Sequence, residues 1–338
     1  MTTPFDRILL EHGGGGLLSN ELITETFLPR LRNPLLEGLG DGARFEIAGA
    51  KLCFSTDTFV VQPRFFPGGD IGSLAVHGTV NDLAMCGSRP LYLSTGFVIE
   101  EGFSREELER IVGSMAEAAK RAGVAIVTGD TKVVPRGAAD GMFINTAGIG
   151  VVGYEGNLGA AAIRPGDAVL VSGPIGDHGA AILTARHDFG LSSEVRSDSA
   201  PLNSLVERIL AASPNIHCMR DATRGGLGAI LAELAAQSGL RVTIRESIVP
   251  VREAVRGICE ILGFDPLFLA NEGRMALFCP KPEAESVLAA MRDHELGREA
   301  AIIGVVTEDK KGRLVIQTLL GSLREVDLPT GELVPRIC

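Results

Sequence analysis

Residues 104–132 read SREELERIVGSMAEAAKRAGVAIVTGDTK and contain one helix–strand unit. Ser104 and Glu107 have the spacing of a capping box that starts a helix, and Gly123 is placed to end it. The apolar residues between them follow the helical period of 3.6: Leu108, Ile111, Val112, Met115, Ala119 and Ala122. The run 124–128 predicts a buried strand that delivers Gly129-Asp130-Thr131-Lys132 at its end. This alternation of helix and strand predicts an α/β fold.

The units on either side extend this pattern into two domains. Apolar runs predict strands at 51–55, 92–99 and 142–152, and a helix at 74–85. A glycine-spaced connector at 153–159 leads to a second unit, in which glycine-rich turns twice precede a helix. We therefore expect a first domain over 1–155, a second over 156–327, and a mobile tail over 328–338.

Composition restricts the class of protein. The chain has 338 residues, 45% of them hydrophobic, with 42 glycines and no tryptophan, as is typical of an α/β enzyme. Its net charge of −10 argues against binding to nucleic acid. No apolar run has the length of a membrane span, and the start lacks the pattern of a secretion signal. The six scattered cysteines form no CxxC pair, so we expect a cytoplasmic protein without a zinc knuckle.

The sequence ends with Val334-Pro335-Arg336-Ile337-Cys338. Extended, the last ten residues could span roughly 30 Å. A thiol on such a segment has few packing constraints and can react as a nucleophile. The alternative is an accidental cysteine on a frayed tail. A prenylation signal is excluded, because it needs the cysteine fourth from the end.

Carboxylates and a lysine suggest a nucleotide site. Asp57, Asp82 and Asp130, with Asp70 and Lys132, suit Mg²⁺ and phosphate, although each aspartate alone is more often a cap or turn residue. The run 11–16, EHGGGG, suits a flap whose N–H groups approach phosphates, but a plain N-terminal loop looks the same. There is no GxxxxGK[ST] loop and no GxGxxG fingerprint.

The second half offers weaker signals. Gly225-Gly226 at a helix start could hold an anion or could simply make a tight turn. His178 is more often structural than catalytic in such a position. Glu272, by itself, is an ordinary loop glutamate.

Three runs and the ending carry a family resemblance. FFPGGDIG at 65–72, GTVNDLA at 78–84, TGDTKVV at 128–134 and the terminal PRIC resemble the HypE family of hydrogenase maturation proteins over essentially the whole chain. That family is part of the superfamily of aminoimidazole ribonucleotide synthetase and selenophosphate synthetase. The resemblance implies the PurM-like α/β (α+β) fold, with two domains, an ATP cleft between them, and a first sheet that pairs across a homodimer.

The resemblance also implies a chemistry. A carbamoyltransferase, HypF, would load a carbamoyl group on Cys338, and ATP-dependent dehydration would convert the thiocarboxamide to a thiocyanate. The cyanide would pass to iron on the HypC–HypD complex and become a ligand of the [NiFe] centre. No nucleic acid or membrane partner is implied.

The implied site residues fall into three groups. Cys338, Glu272 and Lys132 would be catalytic, and the base stays open among Glu272, Lys132 and nearby histidines. Mg²⁺ would be held by Asp57, Asp82 and Asp130. ATP would be bound by these aspartates and by His12, Gly13, Gly14, Gly68, Gly69, Asp70, Asn81 and Thr131.

Two alternatives stay open at this point. One is a small-molecule enzyme of the same superfamily, of the selenophosphate synthetase or thiamine-phosphate kinase type, which has no use for a terminal thiol. The other is a non-catalytic thiol carrier with a vestigial ATP site. The three aspartates and Lys132 argue against the carrier.

Overall fold

The computed structural model describes residues 7–14, 16–37, 39–186, 193–309, 311–328, 334 and 336–338. Their strands form a five-stranded sheet in the first half, a seven-stranded sheet in the second half, and a two-stranded ribbon. Two sheets with their own helices confirm the two-domain α/β fold. Within these ranges, no helix has the length and apolar character needed to cross a membrane. The limits of the two domains and of the tail stay predictions.

The first sheet has the strand order β1-β2-β7-β5-β6. Its strands are β1 Ala43–Ile47, β2 Ala50–Phe59, β5 Ser88–Glu100, β6 Ala125–Val134 and β7 Met142–Val152, and the ribbon is β3 Phe65–Phe66 with β4 Gly69–Asp70. Its helices are α1 Leu17–Glu21, α2 Leu28–Leu31, α3 Ile71–Met85 and α4 Arg105–Ala122, with a 3₁₀ turn at Leu10–Gly13 and a π-helical segment at Leu22–Phe27.

Local signals set the ends of α4 and β7 as predicted. The Ser104 side chain accepts a hydrogen bond from Glu107 N at 3.3 Å, and Gly123 ends α4 in the left-handed conformation with φ +70°. Strand β7 has the predicted bounds, because an apolar run between polar turns marks both of its ends.

The prediction that 124–128 is a buried strand is wrong for the single chain. Among the residues that the structure describes, strand β6 lies at the edge of the sheet and pairs only with β5, in parallel. Residues 125–133 are exposed, including Ile126, Val127 and Val133. An apolar sequence predicts burial but does not say whether the cover comes from the same chain.

Helix α3 lies at the centre of the molecule. It packs on β2, β5 and β7, on α4, and on elements of the second domain. Nearly all of its residues are buried, as is typical of a helix that is apolar on every side. Asp82, near its C-terminal end, is therefore held in a rigid position.

The second sheet has the strand order β14-β13-β10-β12-β8-β11-β9. Its strands are β8 Asp167–Val171, β9 Cys218–Asp221, β10 Arg241–Arg245, β11 Met275–Pro280, β12 Ala301–Thr307, β13 Leu314–Gln317 and β14 Leu323–Val326. Its helices are α5 Asp177–Ala185, α6 Asn203–Ala212, α7 Gly226–Ser238, α8 Glu253–Leu262 and α9 Ala284–Arg292. Short 3₁₀ turns lie at Ala160–Ala162, Glu246–Ile248, Pro266–Phe268, Lys281–Glu283 and Glu295–Gly297.

The segment 193–202 of the second domain packs against the first domain. Ser197 N donates to Pro67 O at 2.8 Å, and Leu202 N donates to the Asn81 side chain on α3 at 2.7 Å. These contacts place Asp221 at the end of β9 and Glu272 in the loop before β11 near Asp57 on β2 and Asp82 on α3, and we call the region between these residues the cleft.

Candidate active site

A cluster of carboxylates lies in this cleft. Carboxylate oxygens of Asp41, Asp82 and Asp221 lie within 4.8 Å of one another. Asp41 precedes β1, Asp82 is on α3, and Asp221 ends β9, so both domains contribute. Ser55 Oγ donates to Asp82 Oδ2 at 2.6 Å and fixes its orientation. Hard oxygens gathered in this way suit a divalent cation such as Mg²⁺.

Burial and mutual repulsion shift the pKa values of the carboxyl groups in the cluster. Burial, and then the charges of Asp221, Asp41 and Asp57, raise the pKa of Asp82 well above its usual range. Burial is also the main reason that the pKa of Asp221 rises to about 8. Burial raises the pKa of Asp57, while Arg224 acts in the opposite direction. Each of these shifts means that the ionised cluster is short of positive charge, which a cation would supply.

The positive charge of Arg220 partly neutralises the negative charge of the carboxylate cluster. Its Nε lies 2.7 Å from Asp41 Oδ1, and its Nη2 lies 3.8 Å from Glu233 Oε2 on α7. The N–H of Gly16 bonds to Glu233 as well. These contacts connect the N-terminal segment to the edge of the carboxylate cluster.

Glu272 is buried next to the cluster, in the loop before β11. Asp198 holds this loop by accepting from Glu272 N at 3.3 Å and from Gly273 N at 3.0 Å. Within the described ranges, Glu272 Oε1 is buried without a hydrogen-bond partner. Burial, followed by the charges of Asp221, Asp57 and Asp198, raises its pKa well above the usual value. A carboxylate in this environment binds a proton more readily than an ordinary glutamate, as a general base requires.

The last three residues are docked against the protein, contrary to the expectation that the thiol has few packing constraints. Residues 336–338 run antiparallel to 60–62: Val60 N donates to Cys338 O at 2.9 Å, and Gln62 N donates to Arg336 O at 3.2 Å. Ile337 is buried, and Cys338 packs, partly buried, against a core cluster that contains residues of both domains. Residues 329–333 and 335 of the predicted tail lie outside the described residues.

Side chains from both domains hold this tip. His178 Nε2 on α5 donates to Ile337 O at 2.7 Å, and His178 Nδ1 bonds Ser197 Oγ at 2.7 Å. Arg186 Nη2 donates to Arg336 O at 2.9 Å, and the Arg336 side chain pairs with Asp140. The structural role expected for His178 includes placing the end of the chain.

Arg224 lies between the tip, the acidic groups and the N-terminal segment. Its pKa is raised first of all by Cys338, and then by Asp57, Glu272 and Asp82. Its Nη1 donates to Gly13 O at 3.1 Å, which brings the predicted flap to the cleft. His12 Nδ1 accepts from Leu9 N at 3.1 Å, and Gly14 is buried, while Gly15 lies outside the described residues.

Asp130, Thr131 and Lys132 lie elsewhere. They are exposed on β6, where Lys132 Nζ pairs with Asp130 Oδ2. Three strand spacings separate β6 from β2, which is about 14 Å. The single chain therefore does not bring them to Asp57 and Asp82. Their predicted roles in binding metal and nucleotide and in catalysis stay predictions.

The predicted ATP-binding residues before and on α3 have structural contacts. Asp70 caps α3 by accepting from Gly72 N at 2.7 Å and Ser73 N at 3.0 Å, and Gly69 precedes it in β4. Asn81 donates to Ala200 O at 3.1 Å and to Glu272 O at 3.3 Å. Gly68, with φ +101°, contacts Ser197. Their predicted part in binding ATP stays a prediction.

The sequence analysis missed Asp41, Asp221, Asp198 and Arg224. Asp221 and Arg224 lie within the turn 220–227, RDATRGGL, in which the two glycines are the stronger local signal. Asp41, in Gly40-Asp41-Gly42, has the appearance of a simple turn. Asp41, Asp221 and Arg224 share one feature, since each is a charged residue in a glycine-containing turn next to a strand, and this signal becomes specific only when the two domains are assembled. Asp198 has no such signal.

Two family models match the two halves of the chain. The N-terminal domain of AIR synthase related proteins matches residues 39–152, and the C-terminal domain of the same family matches residues 164–317. Together they cover more than half of the chain.

Individual proteins are similar over nearly the full length. Carbamoyl dehydratase HypE of Azotobacter vinelandii is 53% identical, covering 97% of this chain and 96% of that protein. A crystal structure of hydrogenase maturation protein HypE in complex with ATP has 49% identity and a TM-score of 0.82, covering 98% of this chain and all of that one. A HypE–HypF complex structure has 46% identity and a TM-score of 0.86, covering 91% and 99% of the two chains. The chain therefore belongs to the HypE family of hydrogenase maturation proteins, within the AIR synthase related superfamily.

Proposed function

We propose that this protein is an ATP-dependent carbamoyl dehydratase of the cytoplasm that acts on its own C-terminus. It would convert a thiocarboxamide on the Cys338 thiol to a thiocyanate, the source of the cyanide ligand of the [NiFe] centre. One observation supports the proposal: Cys338 is docked on Val60, and Arg224 interacts electrostatically with Cys338 as well as with Asp57, Asp82 and the buried Glu272. The carbamoyl dehydratase named above, at 53% identity, supports the same activity.

The reaction balances in two steps. The carbamoyl oxygen of R–S–C(=O)–NH₂ attacks the γ-phosphorus of ATP, ADP leaves, and one proton departs from nitrogen to give R–S–C(OPO₃)=NH. The C–O bond then breaks with loss of phosphate, the second N–H proton is removed, and R–S–C≡N forms. Phosphorylation is needed because an amide oxygen is a poor leaving group.

The residues of the chain have separate tasks in this scheme. Asp41, Asp82 and Asp221, with Asp57 beside them, would hold Mg²⁺. When bound, the ion neutralises phosphate charge. Glu272 would accept a proton from the carbamoyl nitrogen, since its Oε1 is buried and faces no donor among the described residues. Asp130 would also contribute to metal binding, and Lys132 would stabilise the transferred phosphoryl group.

Loading of the carbamoyl group and delivery of the cyanide would require partner proteins. HypF would load the carbamoyl group, and the HypE–HypF complex structure described above supports this interaction for the present chain. The HypC–HypD complex would receive the cyanide at its iron. Because residues 336–338 are docked, loading and delivery would require their release from Val60 and His178.

We further propose a homodimer formed through the first sheet. Val127 and Val133 on β6 are 59% and 68% exposed, although the sequence of the strand is apolar. A second copy that covers this strand would remove the apolar surface from water. The same contact would place the exposed Asp130 and Lys132 beside the second chain. They could then contribute to the cleft of that chain, although they lie far from the cleft of their own chain.

The two alternatives are less well supported. A diffusing substrate would not require the end of the chain to occupy the cleft. A non-catalytic carrier would not require Glu272 to be buried with an unpartnered oxygen beside a cluster of perturbed carboxylates, because that arrangement destabilises the fold.

The test is mass spectrometry of the intact protein after incubation with carbamoyl phosphate, ATP and the carbamoyltransferase. We expect a carbamoyl increment on Cys338, followed by loss of one water. Cys338→Ala should abolish the increment while ATP binding is retained. Normal labelling of the Cys338→Ala variant would overturn the proposal.

Asp82→Asn tests the carboxylate cluster separately from the thiol. This change removes one cation ligand but leaves the docked tip unchanged. We therefore expect carbamoyl loading to persist and the loss of water to stop. A thiocyanate on this variant at the normal rate would contradict the assignment of Asp82 to the metal.

A further inference from the structure

Two thiols, those of Cys53 and Cys86, lie side by side against the main chain of Gly42. Cys53 is on β2, and Cys86 directly follows α3. A Cβ at Gly42 would lie 2.8 Å from Cys53 Sγ and 3.2 Å from Cys86 Sγ, so both sulfurs touch the same glycine. A hydrogen bond from Cys86 is the main reason that the pKa of the Cys53 thiol is lowered. Two sulfurs in contact on different elements meet the first requirement of a disulfide.

A cavity gives small molecules access to this pair. Cys86 is 8% exposed and lines a cavity of about 240 Å³, whereas Cys53 is fully buried behind it. Leu35 and Gln237 line the same cavity and are exposed, so it reaches the surface. A water molecule occupies only about 30 Å³ in the liquid. An oxidant as small as hydrogen peroxide therefore has room to reach Cys86 in the folded protein.

The main chain around the two thiols supports the carboxylate cluster. Cys86 Sγ donates to the carbonyl oxygen of Gly42 at 3.6 Å, and Gly42 follows Asp41. Cys86 N donates to Asp82 O at 3.3 Å. Ser55 Oγ, on β2, donates to Asp41 O at 2.8 Å and to Asp82 Oδ2 at 2.6 Å. A change at the thiol pair therefore acts directly on the segments that position two of the carboxylates.

We propose that Cys53 and Cys86 form a site of reversible oxidation, and that a disulfide between them weakens the binding of a divalent cation by the carboxylate cluster. One thiol sulfur displaces water from hydrogen peroxide and becomes a sulfenic acid. The second sulfur then displaces water from the sulfenic acid, and the S–S bond forms. The two thiols lose two electrons in total, which reduce one peroxide to two waters.

The effect on the cluster follows from the contacts of Gly42. The disulfide removes the S–H donor from Gly42 O and draws the end of α3 toward β2, while Gly42 has no side chain that could make room. Partners that orient the ligands of a metal commonly contribute 10- to 100-fold to its affinity, roughly. This effect on the cation rests on the proposed function, whereas formation of the disulfide does not.

The test uses the full-length protein with Cys338→Ala, so that peroxide acts on the internal thiols. After treatment with hydrogen peroxide, free thiols are alkylated with N-ethylmaleimide and the disulfides are mapped by mass spectrometry of peptides. Binding of Mn²⁺, which carboxylate sites accept as they accept Mg²⁺, is measured from the electron paramagnetic resonance of the free ion. Cys86→Ser is the test variant. Cys218→Ser is the matched control, because Cys218 lines the same cavity.

We expect a peptide pair joined through Cys53 and Cys86, and a Kd for Mn²⁺ that rises about ten-fold or more on oxidation. Dithiothreitol should restore the original Kd. Cys86→Ser should have the same Kd before and after peroxide, because a serine hydroxyl can still donate to Gly42 O but cannot form the bridge. Cys218→Ser should respond to peroxide like the parent.

Three outcomes would overturn this inference: no cross-linked peptide, a bridge from Cys86 to Cys218 in place of Cys53, or an unchanged Kd for Mn²⁺ after complete cross-linking. Should the reduced protein bind no Mn²⁺, the metal assignment in the proposed function fails, while the cross-linked peptide still decides whether the oxidation site exists.

Discussion

At the scale of single residues, the buried Glu272 makes the stability of the fold depend on pH. Its burial among acidic groups raises its pKa, so the folded protein binds a proton there that the unfolded chain has already released. Stability is therefore complete below the ordinary glutamate pKa and declines as the pH rises toward the raised value in the folded protein. The same shift makes Glu272 a stronger base once it is ionised.

We expect Glu272→Gln to distinguish the effect of Glu272 on stability from its proposed role as a base. The variant should lose dehydration by about 100-fold or more, since general-base catalysis commonly contributes this much. It should also melt at least about 2 °C higher than the parent at pH 8, because a neutral amide has no charge to desolvate. In the parent, dehydration should increase with pH through the raised pKa of Glu272. Conversion rates and melting curves between pH 5 and pH 9 measure both quantities.

Glu101→Gln, an exposed change in the turn after β5, is the control and should alter neither quantity. A Glu272→Gln enzyme that keeps the parental pH profile would show that another group removes the proton.

At the scale of elements, the contact between the glycine turn at β3–β4 and the segment 193–202 connects the domains. A Cβ at Gly68 would lie 2.7 Å from Ser197 N and 2.8 Å from Ser197 O, so no larger residue fits without moving this segment. Ser197 Oγ in turn bonds His178 Nδ1 at 2.7 Å, and His178 holds the tip of the chain. The turn is therefore part of the support of the thiol.

Gly68→Ala should lower the free energy of unfolding by about 2–4 kcal/mol, since left-handed strain and overpacking add. It should also raise the alkylation rate of Cys338. Gly49→Ala is a matched control: φ is +82°, but nothing lies within 4 Å of the added Cβ, so only the strain of about 1–2 kcal/mol applies. Urea denaturation of both variants measures the difference. If both variants lose the same free energy of unfolding, the contact between Gly68 and Ser197 does not contribute to stability.

At the scale of the whole molecule, β6 is an apolar strand that a single chain leaves exposed. Placing a charge in a dimer contact desolvates it, so Val127→Asp should convert a dimer to monomers. Analytical ultracentrifugation at micromolar concentration provides the measurement. Ile261→Asp on α8, where the parent residue is 69% exposed, is the control and should leave the dimer intact. If Val127→Asp sediments like the parent, the two copies do not meet at this strand.

Sequence reasoning succeeded where signals are local and failed where they depend on assembly. The ends of α4 follow from Ser104 and Gly123, which act within one turn. Cys338 stands out by its terminal position, whereas Glu272 is indicated only by the family resemblance, and in the structure both lie near Arg224. Asp41, Asp221 and Arg224 could not be ranked above other turn residues, because their meaning comes from a meeting of β1, β9 and α3. Whether β6 is exposed or covered depends on the surface of a second molecule, which the sequence of one chain does not describe.

The main-chain hydrogen bond from Val60 N to Cys338 O, which holds the end of the chain at the cleft, has a kinetic consequence. In the proposed reaction the reacting group is covalently part of the protein that acts on it, so its effective concentration at the cleft is set by chain geometry and not by dilution. Dehydration should therefore be first order in loaded protein, with no Michaelis constant for the carbamoyl group. Small thiols in the cell could not compete for the site at millimolar levels, because the tethered thiol is present at a far higher local concentration.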